Sequence, residues 1–455
     1  MRDAATRADE PPLARATDAS LDALHRGLGW VGRHALGCSI AGAGVLALIA
    51  WYAAWHVPSS GWLFLSHYAV GFKDLVYRVQ NVRNVQVGRT LYYAQLGTLQ
   101  YFVYPPAALW LFWPLTWVGR FTGELLWTYA SLICLAWLIA SAGRAACAWR
   151  WQKAWAVALL VGAPLSALVL QPVGVHLALG QVGLFLAAPA VFDLLCVRDR
   201  RLRGVLVGVT AAFKLYPIVY VAFFALRREW RAVWNALGSM AAVTALAWAV
   251  FPGYSATFFF HRLLNGGELR HYWHNDHWIS SSSSLYTVFF RQPFTGSPPE
   301  RAVGLVLCAA AVLLGVLAAR RLLAEGREVG ALLCLALGAT VGSPVAWDHY
   351  FIWVVLVPFV LVERRPLAWW RTAALWLFVL ACLVPLRLAR NESLSHRAYD
   401  GTFLVILTAR NALAVTSLVW LVAACVPARA PDPDGDRDQP RAATVARWPS
   451  YPLAQ

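Results

Sequence analysis

A handful of short polar stretches carry the side chains able to do chemistry in a chain that is otherwise mostly hydrocarbon. The first runs from Gly71 to Pro106, GFKDLVYRVQNVRNVQVGRTLYYAQLGTLQYFVYPP, and holds Lys73-Asp74, the arginines Arg78, Arg83 and Arg89, and a closing Tyr104-Pro105-Pro106. A carboxylate set among cations can work as a general base whose proton affinity is tuned by burial and neighbouring charge. The same Asp74 can equally be a surface partner of Lys73 or Arg78. Phe72, Leu75, Val76 and Val79 share one helical face, which fits an amphipathic helix lying at a membrane surface.

Further stretches offer matching chemistry. Gly180-Gln181-Val182-Gly183 opens an apolar run just after His176. A glutamine at such a start can hold a hydroxylated ligand or simply cap the helix. Lys214 stands inside the apolar run 204–226. An intramembrane cation is costly and calls for an anionic partner. With no carboxylate nearby in sequence, a lipid phosphate is the candidate, against a lysine that snorkels to the interface. His271-x-x-His274-x-x-His277 with Asp276 has the composition of a metal cluster, but its i, i+3, i+6 spacing does not keep to one helical face. Binding of a sugar or phosphate through Trp273, Trp278, His274 and Asn275 fits better, with an ordinary loop as the alternative. Ser280–Ser284 alone looks like a linker. In Ser343-Pro344-Val345-Ala346-Trp347-Asp348-His349-Tyr350, Asp348 and His349 can orient a hydroxyl or touch a leaving phosphate, or form a proline turn with a capping aspartate.

The elements that position these residues are membrane helices. The 455 residues are 59% hydrophobic and 14% charged, against about 25% charged in soluble domains. Continuous apolar runs of about 15 to 20 residues recur from Leu36 to Val426, which is the pattern of an all-α polytopic membrane protein and not of alternating barrel strands. The net charge of +16 comes largely from arginines between the runs. Topology therefore accounts for it, and nucleic acid is not expected as a partner. Eight cysteines without CxxC spacing read as small core residues, not as disulfides or a zinc site.

Spans are expected at about 36–55, 122–140, 154–170, 181–196, 204–226, 232–251, 303–319, 330–342, 349–362, 368–386 and 402–425, giving about 11–12 membrane helical segments. The connections Arg144–Lys153, Arg198–Arg203, Arg227–Arg231, Arg320–Arg327 and Arg364–Arg371 each carry three or four basic residues, while Gln171–Gly180 and Ser343–Asp348 carry none. The basic set is therefore cytoplasmic. Because Gly204–Leu226 has basic clusters at both ends, a hairpin turning at Lys214-Leu215-Tyr216-Pro217 is expected, with Pro217 marking the break. Broken helices at membrane depth line cavities. Pro106–Val118 is too short to span and fits an interfacial or re-entrant helix. The expected organisation is a partly disordered cytoplasmic segment 1–35, whose hydrophobic run starts too late for a signal peptide, a membrane domain 36–426 and a disordered cytoplasmic tail 427–455. Asp74, Tyr104, His176, Gln181, Lys214, the His261–Asp276 stretch, Asp348 and His349 then all fall toward the extracytoplasmic face.

In order and sidedness, Asp74, Tyr104-Pro105-Pro106, Gly180-Gln181, Lys214-Leu215-Tyr216-Pro217 and Ser343-Pro344…Trp347-Asp348-His349 resemble the motifs of the glycosyltransferases of family 87, polytopic enzymes of the GT-C superfamily. The resemblance covers roughly 36–425, with one departure: where the family often has an Asn-Gln-Ser-Leu-like segment, this chain has Asn275 and then Ser280–Ser284 with Leu285. The resemblance implies a GT-C-like fold in the inner or plasma membrane and transfer of a hexose, mannose first among them, from a polyprenyl-phosphate sugar to a glycolipid or glycan acceptor on the extracytoplasmic side, with inversion. Asp74 would be the base, with Lys214, His349 and an arginine such as Arg78 on the departing phosphate. Asp348, Gln181, Tyr104, His274 and Asn275 would be further substrate contacts. No cofactor or metal is expected, and no nucleotide-binding domain is visible. A lipid or polyol transporter is the alternative from another class; it requires polar residues at the bilayer midplane and two related halves. A non-catalytic subunit of an envelope assembly complex is a third reading, in which Asp74 and Lys214 would be replaceable.

Overall fold

A computed structural model describes residues 23, 26–60, 71–92, 102–263, 284, 298–364, 366–383 and 411–427. Among the described residues the regular structure is entirely helical. The main elements are α1 (Ala35–Ser60), α2 (Lys73–Gln86), α3 (Arg120–Cys147), α4 (Trp151–Val169), α5 (Gln171–Leu179), α6 (Gly183–Cys196) and α7 (Val205–Phe213). They continue with α8 (Tyr216–Leu226), α9 (Trp230–Val250), α10 (Pro298–Ala324), α11 (Glu328–Val341), α12 (Asp348–Val362), α13 (Trp369–Leu383) and α14 (Ala412–Cys425). Stretches of α1, α3, α4, α9 and α10 are long and apolar enough to cross a membrane; α6, α8 and α11 to α14 are shorter apolar helices. The chain is an all-α, multi-pass membrane protein, as its apolar runs predict. The start of the expected span 402–425 lies outside the described residues.

Burial separates the centre of the bundle from its lipid-facing rim. In the apolar window of α3, 61% of residues are buried, against 17% in α9. The centre is tightly filled: Leu132, Leu135, Ala136, Ala187, Val191, Leu333, Leu337 and Leu356 are fully or almost fully buried in one continuous core.

The 204–226 run is a hairpin. Arg203 at its start and Glu229 just past its end form an ion pair with Nε–Oε2 2.5 Å, so the two ends lie side by side. Arg227 pairs with the same glutamate at 2.7 Å. Arg203 also donates to the carbonyls of Asp193, Leu194 and Val197 at the end of α6. The amides of Gly204 (2.8 Å) and Val207 (3.0 Å), which open α7, donate to the Asp193 carboxylate. These amides would otherwise be orphaned at a helix start, and a carboxylate is the favoured partner there. At the far end, α7 stops at Lys214, whose backbone is extended (φ −154°, ψ 127°), and Pro217 stands in the first turn of α8. A proline is tolerated there because its missing amide needs no partner.

Two connections need comment. Gln171–Gly180, expected as a simple connection, folds as the nine-residue helix α5, and Gln171 to Ala178 are all buried. A segment this apolar that dips into the bundle must satisfy its own backbone, and a helix does so. The 106–117 segment forms three short turns (Pro106–Ala108, Leu109–Phe112, Trp113–Trp117), as its length predicts. Thr116 there accepts a hydrogen bond from Gln86 at the end of α2, at 3.1 Å.

Gly204 has φ +95°, and a Cβ on it would sit 2.1 Å from the Ala232 carbonyl oxygen of α9. Gly204→Ala is therefore expected to cost about 2 kcal/mol or more, by backbone strain and by overpacking. Thermal unfolding in detergent should show a lowered midpoint; an unchanged one would contradict this packing of the hairpin on α9.

Candidate functional site

The site begins where α2 docks on the turn between α5 and α6. Phe72 ends the incoming chain in a left-handed conformation (φ +51°) and is fully buried. Its amide donates to the carbonyl of Ala178 at 2.9 Å. Gly180 supplies the turn with φ +67°, and a Cβ there would lie 2.5 Å from the Leu75 Cβ. Glycine thus serves both the bend and the close approach of α2.

That docking sets Gln181 against Asp74, and the glutamine Nε2 donates to the Asp74 carboxylate. The Gln181 side-chain oxygen in turn accepts from the Tyr104 hydroxyl at 3.4 Å. Arg78, one turn on from Asp74, lies over the Tyr104 ring (5.0 Å) and near Phe102 (5.9 Å). Lys214 at the hairpin tip reaches the same Tyr104 ring from elsewhere, at 5.5 Å, and is ringed by Tyr350 (4.5 Å) and Tyr216 (5.7 Å). Aromatic faces hold cations electrostatically without neutralising them. The fold therefore assembles a carboxylate, a carboxamide and two cations around one tyrosine. Tyr104 is itself braced: Tyr92 donates to its carbonyl at 2.9 Å, and Arg262 donates to the carbonyls of Tyr92 and Phe102.

Asp74 is half-buried, and desolvation pushes its pKa above the ordinary 3.8. Arg78, Lys73, Lys214 and the Gln181 hydrogen bond act in the opposite direction, and burial prevails. A carboxylate raised in this way is a better proton acceptor near neutrality.

His349 and Asp348 complete one side. The His349 ring packs edge-on against Tyr350 at 4.8 Å, and Tyr350 is one of the rings around Lys214. The Asp348 carboxylate accepts from Gln171 of α5 at 3.4 Å. Beside His349 stands His176, ring centroids 6.3 Å apart, which the sequence places in the polar set without a role. The Leu184 amide donates to its Nε2 at 3.2 Å, which assigns the proton to Nδ1, facing the His349 carbonyl at 3.5 Å. The His176 carbonyl accepts from the Gln181 amide at 3.1 Å. His176 is thus a positioning residue tying the Gln181 turn to the His349 turn.

Arg83 and Arg89, candidate phosphate contacts by sequence, are exposed on or beyond α2 and do not join this cluster. His274, Asn275 and the rest of the His271–Trp278 stretch lie outside the described residues. Ser284 is described, and its hydroxyl donates to the Pro344 carbonyl at 3.0 Å, which sets this residue against the Ser343–Tyr350 segment. Sequence reasoning passed over Tyr216 and Tyr350 as site residues. Their only signal is adjacency, one to the Lys214 break and the other to His349.

A profile described as Glycosyltransferase family 87 matches residues 102–347. The chain belongs to glycosyltransferase family 87. It is a membrane glycosyltransferase, and the matched region contains Tyr104, Gln181 and Lys214. The enzyme is 29% identical over 373 residues to a polyprenol-phosphate-mannose-dependent alpha-(1-2)-phosphatidylinositol mannoside mannosyltransferase of Mycobacterium tuberculosis, covering 78% of this chain and 83% of the relative. It is 27% identical to the protein of the same description from Mycolicibacterium smegmatis, covering 72% and 80%. A pentamannoside mannosyltransferase from that organism is 27% identical over 39% of this chain and 41% of its own length. No solved structure gives a significant match.

The raised pKa of Asp74 makes a stability prediction. A group whose folded pKa exceeds its unfolded value favours the folded state fully only below the unfolded value, and that contribution is lost as pH rises through the folded one. At neutral pH the ionised Asp74 is thus a cost. Asp74→Asn should raise the thermal midpoint of the enzyme at neutral pH, and the gap should close as pH falls toward 3.8.

Proposed function

We propose that this enzyme transfers mannose from a polyprenyl-phosphate mannose to a hydroxyl of a glycolipid acceptor, at the extracytoplasmic face of the membrane and with inversion. The observation that carries this reading is the convergence of Asp74, Arg78 and Lys214 around Tyr104. A glycosyl transfer from a phosphate needs a base for the incoming hydroxyl and positive charge for the outgoing phosphate, within reach of one sugar. Phosphatidylinositol mannosides, the acceptors named for the relatives, are the acceptor class taken here.

In the proposed reaction the acceptor oxygen attacks the anomeric carbon of the donor mannose while the bond from that carbon to the phosphate oxygen breaks. Asp74 takes the hydroxyl proton, held in place by Gln181. The electron pair leaves with the polyprenyl phosphate, whose charge Lys214 and Arg78 meet, with His349 alongside. The aromatic surroundings of Lys214 leave its charge available to the phosphate instead of matching it with a carboxylate. Asp348 supports the His349 turn through Gln171.

The membrane unit is taken as 36–426 with both termini cytoplasmic. In this orientation the basic ends of the 204–226 hairpin face the cytoplasm, and α2 lies on the outer surface. The flanking stretches 1–35 and 427–455 are assigned to the cytoplasm on the same ground.

Purified enzyme in lipid vesicles, given labelled polyprenyl-phosphate mannose and phosphatidylinositol mannosides, should form the mannosylated product. Asp74→Asn should lower kcat at least about a hundredfold with the protein folded; wild-type turnover in that variant would sink the base assignment. For orientation, a cysteine at exposed Arg83 (Arg83→Cys) should react with a membrane-impermeant maleimide in intact cells, above the wild-type background, and one at exposed Arg201 (Arg201→Cys) should not. The reverse pattern would invert the topology.

A further inference from the structure

Asn81 is a buried carboxamide that the packing of α2 does not account for. The residue is 5% exposed, and its Nδ2 is buried with no acceptor among the described residues. Buried amide donors are nearly always paired, and an unpaired one opposes folding. The same helix does provide partners elsewhere: Asn84, also buried, accepts from Gln80 at 3.3 Å.

Its register places it on the face of α2 that carries the site residues. Asn81 is three residues beyond Arg78 and seven beyond Asp74 in α2. At 3.6 residues per turn the three side chains fall within an arc of about 60°. Asp74 and Arg78 both face the site, one on Gln181 and the other over Tyr104. Asn81 continues that stripe, about 10 Å along the helix axis from Asp74.

We propose that Asn81 is an acceptor-specificity residue: its Nδ2–H donates to an oxygen of the sugar unit next to the one whose hydroxyl Asp74 activates. This rests on the mannosyl-transfer reading. The donor's phosphate is claimed by Lys214 and Arg78, and its hydrocarbon tail offers nothing to a carboxamide. What remains polar and lies beyond the reach of a single sugar ring is the glycan of the acceptor. A surface helix such as α2 runs alongside a glycolipid headgroup, which suits that geometry. A site built to hydrogen-bond a hydroxyl discriminates strongly against ligands lacking it, because its own polar group is then left unpaired. Keeping that group unpaired in the free enzyme trades stability for recognition.

The test uses full-length wild type, Asn81→Leu and Asn81→Ala in lipid vesicles, with polyprenyl-phosphate mannose and phosphatidylinositol mannosides. A second acceptor series lacks, one at a time, the hydroxyls of the penultimate mannose. Both variants should unfold at or above the wild-type midpoint, since a buried orphan donor is removed. Their KM for the acceptor should rise about tenfold or more, with kcat and the donor KM within about twofold of wild type. One deoxy acceptor should cost the wild type about tenfold and the variants nothing further. An unchanged acceptor KM in a folded variant overturns the inference, as does a wild type indifferent to every deoxy acceptor, a result that needs no variant to fold. An inactive wild type removes the mannosyl-transfer reading as well, whereas an active wild type with unaffected variants removes this inference alone.

Discussion

The hydrogen bond from Gln181 to Asp74 joins the short helix α2 to a turn inside the bundle, and the site is organised by that junction. A half-buried carboxylate needs donors or cations to remain in place, and Gln181 supplies the donor. The left-handed Phe72, the Phe72–Ala178 backbone bond and Gly180 bring α2 close enough for it to form. Once α2 is seated, Arg78 falls over Tyr104, and Tyr104 is the ring that Lys214 also meets.

A second constraint comes from the membrane. Backbone at membrane depth must be paired internally, so a helix broken at Lys214 is tolerated only beside other protein or a cavity. The polar groups at the two ends of the hairpin are treated differently. At its base, charges pair with charges: Arg203 and Arg227 share Glu229, and Arg227 also pairs with Glu328. Nearby, Glu363 accepts the amides of Val329 and Gly330 that open α11, and Arg371 pairs with Glu325 at 2.6 Å. At its tip, Lys214 meets three aromatic rings. The base matches charge with charge, and the tip holds its cation against ring faces.

Much of the frame was legible in the chain. Apolar runs located the helices because hydrocarbon length is a strong requirement, and basic residues at both ends of 204–226 marked a hairpin because each cluster resists crossing the membrane. The motif residues Asp74, Tyr104, Gln181 and Lys214 were also visible, as polar groups where lipid penalises them. The reading failed at α5: a ten-residue gap without charge looked like a connection, and neither its burial nor its helical form leaves a periodic signal at that length. It also passed over Tyr216, Tyr350 and the tie made by His176, because aromatic and histidine side chains are ordinary in an apolar chain until their neighbours are known.

The sequence by itself thus determined the membrane class, the family and which polar residues stand out, since each follows from composition, spacing or the energetic penalty of a charge in lipid. Only the tertiary structure decided which of those residues meet. Arg78 joins Asp74 and Lys214, while Arg83 and Arg89 on the same stretch stay exposed. The difference is the rotation of α2 about its axis, set by Phe72 and Leu75 packing against the Gly180 turn, more than a hundred residues away in the chain. Long-range packing of this kind chooses one face of a helix over the other, and no local pattern of charge records the choice.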